Sequence, residues 1–200
     1  MQLYWTTVLV PFRGYRELHR DIWKMLMDRR EKKLLFRVGE LQPDNCMPIL
    51  IQSQYQTRVP PVNSGVTVKS VLQKDIPIGK GLRFRFSADV QMEKRPAQAK
   101  TEGKPRKVSR VFVTDAAEQR EWFQFRVEGN ERRGMPKAGE LVGELKMAPR
   151  MLPGLPSRWG WQRVEGVIDV TNPEQMTHLI QHGIGRGDVF GCGLVLLEAV

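Results

Sequence analysis

Cysteine, histidine and long apolar runs are scarce in this chain, and each scarcity removes a class of function. The two cysteines, Cys46 and Cys192, lie far apart with no Cys-x-x-Cys pair, which argues against a disulfide framework or a zinc knuckle and fits a reducing cytoplasm. Three histidines are present. His178 and His182 stand four apart, a metal-compatible spacing, but the segment HLIQH supplies neither an adjacent glutamate nor a third ligand. A histidine near a helix C-terminus is favoured by the helix dipole, which accounts for His182 without a metal. No cluster of carboxylates suggests a metal-dependent nuclease, so neither metal nor cofactor is expected. No apolar run approaches membrane-spanning length. The opening segment MQLYWTTVLVPF lacks a basic n-region and is rich in strand formers, so it reads as a first β-strand rather than a signal peptide. Acidic residues are outnumbered 22 to 32 by Lys and Arg, giving a formal net charge of +10. That balance favours a polyanionic partner, with nucleic acid the leading candidate.

Along the chain, Tyr15 to Arg30 carries Leu18, Ile22, Met25 and Leu26 at the spacing of a helix with one buried face. Residues 34–38 and 47–54 read as strands. Residues 55–81, broken by Pro60, Pro61 and Pro77, hold at most a short helix. The segment LRFRFSADV has the clearest period-two alternation, with Leu82, Phe84, Phe86, Ala88 and Val90 on one face and Arg83, Arg85, Ser87 and Asp89 on the other. The second face is either solvated or turned toward an anion. Residues 94–107, with six basic residues, two prolines and no large apolar side chain, cannot bury a core and read as a linker. Beyond it come a strand (RVFV), a helix capped by Thr114, two strands joined by APRMLPGLPSR, a helix with Asn172 as N-cap and Pro173 at its first position, and a terminal strand.

From Val108 the order is β, α, β, β, α, β, and residues 1–93 repeat it with the second helix reduced to a loop. Two βαββαβ units follow, one over 1–93 and one over 108–200: an α+β chain of tandem ferredoxin-like (RRM-like) domains. Each unit sets helices on one face of an antiparallel sheet and leaves the other face and the inter-domain cleft open.

Two places carry candidate chemistry. The segment Gly183 to Gly193 has five glycines in eleven positions around Arg186. Gly183, Gly185 and Gly187 can aim backbone N–H groups at a phosphate while Arg186 supplies charge; equally, they can form a tight turn entering the last strand. The order helix, loop, strand excludes the Walker A and dinucleotide motifs, which run strand, loop, helix. The second place is His19, one step off the buried stripe of the first helix, with Tyr15 one turn before it and Arg13, Arg16 and Arg20 nearby. It is either a histidine at the margin of an amphipathic helix or a group able to move a proton during attack of a ribose 2′-OH on its own phosphate, with arginines holding that phosphate.

These residues resemble the CasE family, the CRISPR RNA-processing endoribonucleases of type I-E systems. The likeness rests on LHRDIW, LRFRFSAD, AEQREWFQFRV, and VEGVIDV through GIGRGDVFGCGLVLL, in family order across nearly the whole chain. The resemblance implies tandem ferredoxin-like domains and His19 as the catalytic residue. It also implies metal-independent cleavage of CRISPR repeat RNA at the base of a hairpin, leaving a 2′,3′-cyclic phosphate and a 5′-hydroxyl. The family tyrosine lies three residues before the histidine. Here Arg16 holds that position and Tyr15 lies one earlier, which makes Tyr15 the candidate helper. Arg20 matches an RNA-contacting arginine, and Lys146, Arg150 and Arg158 fall near the family's RNA-binding hairpin. The implied partners are the repeat hairpin and the other subunits of the Cascade surveillance complex, in the cytoplasm. The alternative is a structured-RNA-binding assembly protein in which His19 is inert.

Overall fold

The computed structural model describes residues 1–31, 33–94, 111–130, 135–155, 161–185 and 187–200. The first sheet is built from β1 (Gln2–Pro11), β2 (Leu35–Val38), β3 (Cys46–Ser53) and β4 (Thr67–Asp75), all antiparallel, in the order β2-β3-β1-β4. Helix α1 (Tyr15–Met25) connects β1 to β2 and buries Tyr15, Leu18 and Ile22, three residues spaced to share one helical face. That face packs against Val8, Val10, Phe36, Val38, Met47, Ile49 and Ile51.

The second sheet contains β5 (Arg83–Gln91), β8 (Gly139–Pro149), β9 (Trp161–Val170) and β10 (Val195–Ala199), in the order β10-β5-β9-β8. Helices α2 (Ala116–Glu128) and α3 (Pro173–His182) cover it. On β5 the alternation of the sequence has its expected effect: Phe84, Phe86, Ala88 and Val90 enter the core, where Phe86 stacks on Phe123 at 5.5 Å. Both sheets have the strand order of a ferredoxin-like unit, and the architecture is a tandem pair of them.

Two expectations are corrected. The strand over residues 83–91 does not close the first unit. It pairs with β9 and β10 and opens the second, because its apolar face needs the cover that α2 and α3 give. The break between sheets therefore lies between β4 and β5 rather than after residue 93. The closing strand of the first sheet is β4, in the stretch read as a loop with at most a short helix; that stretch also holds one 3-10 turn, Val62–Ser64. Nearly every residue of β4 is exposed, so it shows no buried face and is held by its backbone ladder to β1. Of the expected RVFV strand, whose Arg110 lies outside the described residues, Val111–Phe112 form β7, which pairs among the described residues with β6 (Glu93–Lys94). The expected linker lies outside the described residues except for Lys94.

Helix α2 is capped by Asp115, whose carboxylate accepts from the Glu118 amide at 2.9 Å, in place of Thr114. Helix α3 is capped as expected, with Asn172 accepting from the amides of Glu174 and Gln175 and Pro173 following. The two units meet through buried polar contacts: Gln52 donates to the Ile180 carbonyl at 2.8 Å, and Arg37 to the Ser87 carbonyl at 2.8 Å. No helix among the described residues is long and apolar enough to cross a membrane.

Candidate functional site

Helix α1 presents two faces with opposite character. Its inner face carries Tyr15, Leu18 and Ile22. Its outer face carries Arg16, His19, Arg20 and Trp23, spaced so that they line one side of the helix. His19 is half-buried at the boundary, its ring 6.3 Å from that of Phe36. Arg13 and Arg20 both reach Asp21, at 2.6 and 3.4 Å. Arg16 is exposed and has no ion pair among the described residues, which leaves its charge available three residues from the imidazole.

Tyr15 departs from expectation. Its ring lies edge-on to Phe12 at 5.2 Å and to Phe190 at 5.7 Å, and its hydroxyl is sealed from solvent without a hydrogen-bond partner among the described residues. Burial pushes its phenol well above the usual tyrosine range, opposed only by the nearby Arg150 charge. Tyr15 and His19 share a helix but no accessible atom. The phase of the helix decides this, since Tyr15 falls on the stripe of Leu18 and Ile22.

The glycine-rich segment folds against this helix. After α3 it runs through a 3-10 turn, Asp188–Phe190, whose Phe190 contacts Tyr15 and, at 5.2 Å, Trp161. Gly191 has φ +78°, and a Cβ there would lie 2.9 Å from Val38 and 3.0 Å from Phe36. Phe36 thus lies beside both the histidine and the bend. Gly193 donates its amide to the Asp89 carbonyl at 2.7 Å. A Cβ on Gly183, Gly185 or Gly187 would meet the Gly193 carbonyl at 2.5 Å, Trp122 at 2.9 Å or Trp161 at 2.9 Å. These three glycines are required by the protein's own close packing, which is the tight-turn reading of the sequence. The phosphate reading rests on Arg186, which lies outside the described residues, as does Arg158.

The expected hairpin cations divide. Lys146 on β8 is exposed, its Cα opposite that of Glu165, beside an open cleft that Trp5, Lys74 and Arg85 also line. Arg150 turns inward instead. It donates to the Val38 carbonyl at 2.8 Å and approaches Asp89 at 3.4 Å. Asp89, only 2 % exposed, also receives Arg163 through two hydrogen bonds of 2.8 and 3.1 Å and lies 3.6 Å from Arg37. Sequence reading missed this cluster. Its one signal was the polar face of β5, where Arg83 pairs with Asp169 at 2.6 and 2.8 Å and the anion is the chain's own Asp89.

A sequence model of the family described as "CRISPR associated protein" matches residues 12–198. The chain belongs to the CasE family of CRISPR-associated proteins. It is 28% identical over 191 residues to the CRISPR system Cascade subunit CasE of Escherichia coli strain K12, covering 92% of each chain. Its fold is similar to the crystal structure of the CRISPR-associated protein Cas6e from Escherichia coli K-12, with a TM-score of 0.73, 21% identity, and coverage of 98% of this chain and 100% of that one. It is also similar to the CRISPR endoribonuclease Cse3 bound to a 19-nucleotide RNA, with a TM-score of 0.71, 20% identity and 98% coverage of both chains. Both similarities extend over both ferredoxin-like units.

Proposed function

We propose that this CasE-family protein is an endoribonuclease that binds a CRISPR repeat hairpin and cuts it once, without a metal, then keeps its product as a Cascade subunit. The observation that carries the reading is the outer face of α1, where His19 stands between Arg20, paired with Asp21, and Arg16, which has no ion pair among the described residues, beside the glycine-rich bend. In the reaction the ribose 2′-oxygen bonds to the adjacent phosphorus and the bond to the 5′-oxygen breaks. The 2′-hydroxyl proton leaves to a base and the departing oxygen gains one, giving a 2′,3′-cyclic phosphate and a 5′-hydroxyl. His19 acts as the proton-transfer group. Arg16, with Arg20 and Arg13 in support, offsets the charge that builds on the pentacoordinate phosphorus. Tyr15 has no proton-transfer part in this account, because its hydroxyl is sealed.

The supporting test incubates end-labelled repeat hairpin with the protein in EDTA and identifies the product termini. A single cut leaving a cyclic phosphate agrees with the proposal; a 3′-hydroxyl product, or cleavage only on adding a divalent ion, contradicts it. The sealed Tyr15 favours one other reading, an RNA-binding assembly subunit in which His19 is inert. That reading predicts tight hairpin binding with no product.

A further inference from the structure

We propose that Arg37, Arg150 and Arg163 form a binding site for a phosphate-class oxyanion, separate from the His19 face. The three guanidinium groups come from both sheets, Arg37 from β2, Arg163 from β9 and Arg150 from the residue after β8, and converge on the single carboxylate of Asp89. Their contacts to it are unequal. Oδ1 accepts a hydrogen bond from Arg163 at 2.8 Å, while Oδ2 is approached by Arg163 at 3.1 Å, Arg150 at 3.4 Å and Arg37 at 3.6 Å. Neither of the last two is a hydrogen bond, and the Nε atoms of Arg37 and Arg150 are buried with no hydrogen-bond partner among the described residues.

Among the described residues, five hydrogen bonds leave the three groups, two of them to Asp89, two to Ser87 and one to the Val38 carbonyl. Three planar donor forks carry many more N–H groups than that. Donors therefore exceed acceptors among the described residues, and within the ion-paired cluster three positive charges against one negative leave a net +2, with Glu165 acting on Arg163 from outside it. Each guanidinium raises the cost of charging its neighbours: burial and the two nearby arginines hold Arg37 below its ordinary range despite Asp89.

A cavity of about 290 Å³ opens beside the cluster, lined by all three arginines, Thr7, Gly39 and Glu40. The arginine side chains are 14, 16 and 36 % exposed, so a small anion reaches their solvent-facing N–H groups, though not the two buried Nε atoms. A phosphate monoester dianion cancels the net charge and offers the acceptors that Asp89 lacks, in the bidentate geometry that guanidinium favours. A carboxylate leaves half of the charge uncompensated. Glu40, exposed at the rim, opposes the anion weakly through solvent. The dianion has two sources, free inorganic phosphate and the terminal phosphate of an RNA strand.

The test observes arginine Nε–H resonances of the full chain by NMR while inorganic phosphate is added at constant ionic strength. The expected result is saturable shifts at Arg37, Arg150 and Arg163, with the arginines of α1 unmoved. Arg163→Gln weakens phosphate binding by roughly tenfold or more. Glu40→Gln, at an exposed position outside the ion-pair cluster, binds phosphate more tightly, which keeps the test sound should Arg163→Gln fold poorly. A short RNA carrying a 5′-phosphate that competes with inorganic phosphate, where the same RNA ending in a hydroxyl does not, identifies the strand terminus as the source. Competition by neither leaves free phosphate. Shifts confined to Arg13, Arg16 and Arg20, no gain in Glu40→Gln, or shifts produced by an acidic peptide but not by phosphate each overturn the proposal.

Discussion

The outer face of α1 and the cluster around Asp89 are both rich in arginine, yet they put the residue to opposite uses. On and just before α1 the side chains of Arg13 and Arg20 are 65 and 51 % exposed and share one aspartate, while Arg16 has no ion pair among the described residues. Around Asp89 three arginines are drawn into the seam between the sheets, and their removal from water is offset by the carboxylate and by backbone carbonyls. Net charge of +10 alone does not separate these cases. Exposed cations attract a polyanion at little structural cost, whereas buried ones hold the two units together and depend on their partners.

The comparison breaks most visibly at Asp89. Asp89→Ala leaves three guanidinium groups facing one another, and chemical denaturation should show a loss of about 3–5 kcal/mol; a loss below about 1 kcal/mol would mean that the seam is held by apolar packing alone. Next comes Arg16→Ala on α1. Stability should be unchanged, while the log–log salt dependence of hairpin binding should flatten by about one unit for the lost phosphate contact. An unaltered slope would remove Arg16 from the RNA surface.

Tyr15→Phe sharpens the contrast between the two faces of one helix. Removing a sealed, unpartnered hydroxyl should leave cleavage unchanged and raise stability by up to about 1 kcal/mol at neutral pH. A large drop in cleavage would restore Tyr15 to the mechanism. The same substitution carries a pH signature. Burial raises the Tyr15 phenol above its unfolded value of about 10, so the folded state holds a proton that the unfolded state releases, and stability falls as pH rises through that value. Alkaline unfolding should therefore begin at higher pH in Tyr15→Phe than in the parent chain. The smallest effect is expected at Arg83→Ala, whose ion pair with Asp169 is solvent-exposed; the thermal midpoint should barely move.

The parts of the molecule that were legible in the sequence are those fixed by local pattern. Helix α3 announces itself through Asn172, Pro173 and the glycine that ends it, and β5 through its alternation. Which sheet β5 joins depends on pairing with residues 161–169 and 195–199, far along the chain, and no local signal carries that. Strand β4 was missed because exposure on both faces erases the period-two pattern. The inward turn of Arg150 was hidden for a similar reason, since its partner Asp89 is 61 residues away. Tyr15 is different. Its phase with Leu18 and Ile22 is readable in the sequence and sets it on the buried face, whereas its candidacy as helper came from the family resemblance and its one-turn spacing from His19. The glycine-rich bend was correctly seen as backbone needing close approach, but the approach is to Phe36, Trp122 and Trp161 of the same chain.

The central claim is that the outer face of α1 performs the chemistry and that His19 moves the proton. Single-turnover cleavage of labelled repeat hairpin, with saturating wild-type protein and with His19→Ala of matched stability, tests it most directly. The account predicts cleavage slowed by roughly 10²-fold or more, with hairpin affinity retained. Equal rates for the two proteins would contradict it.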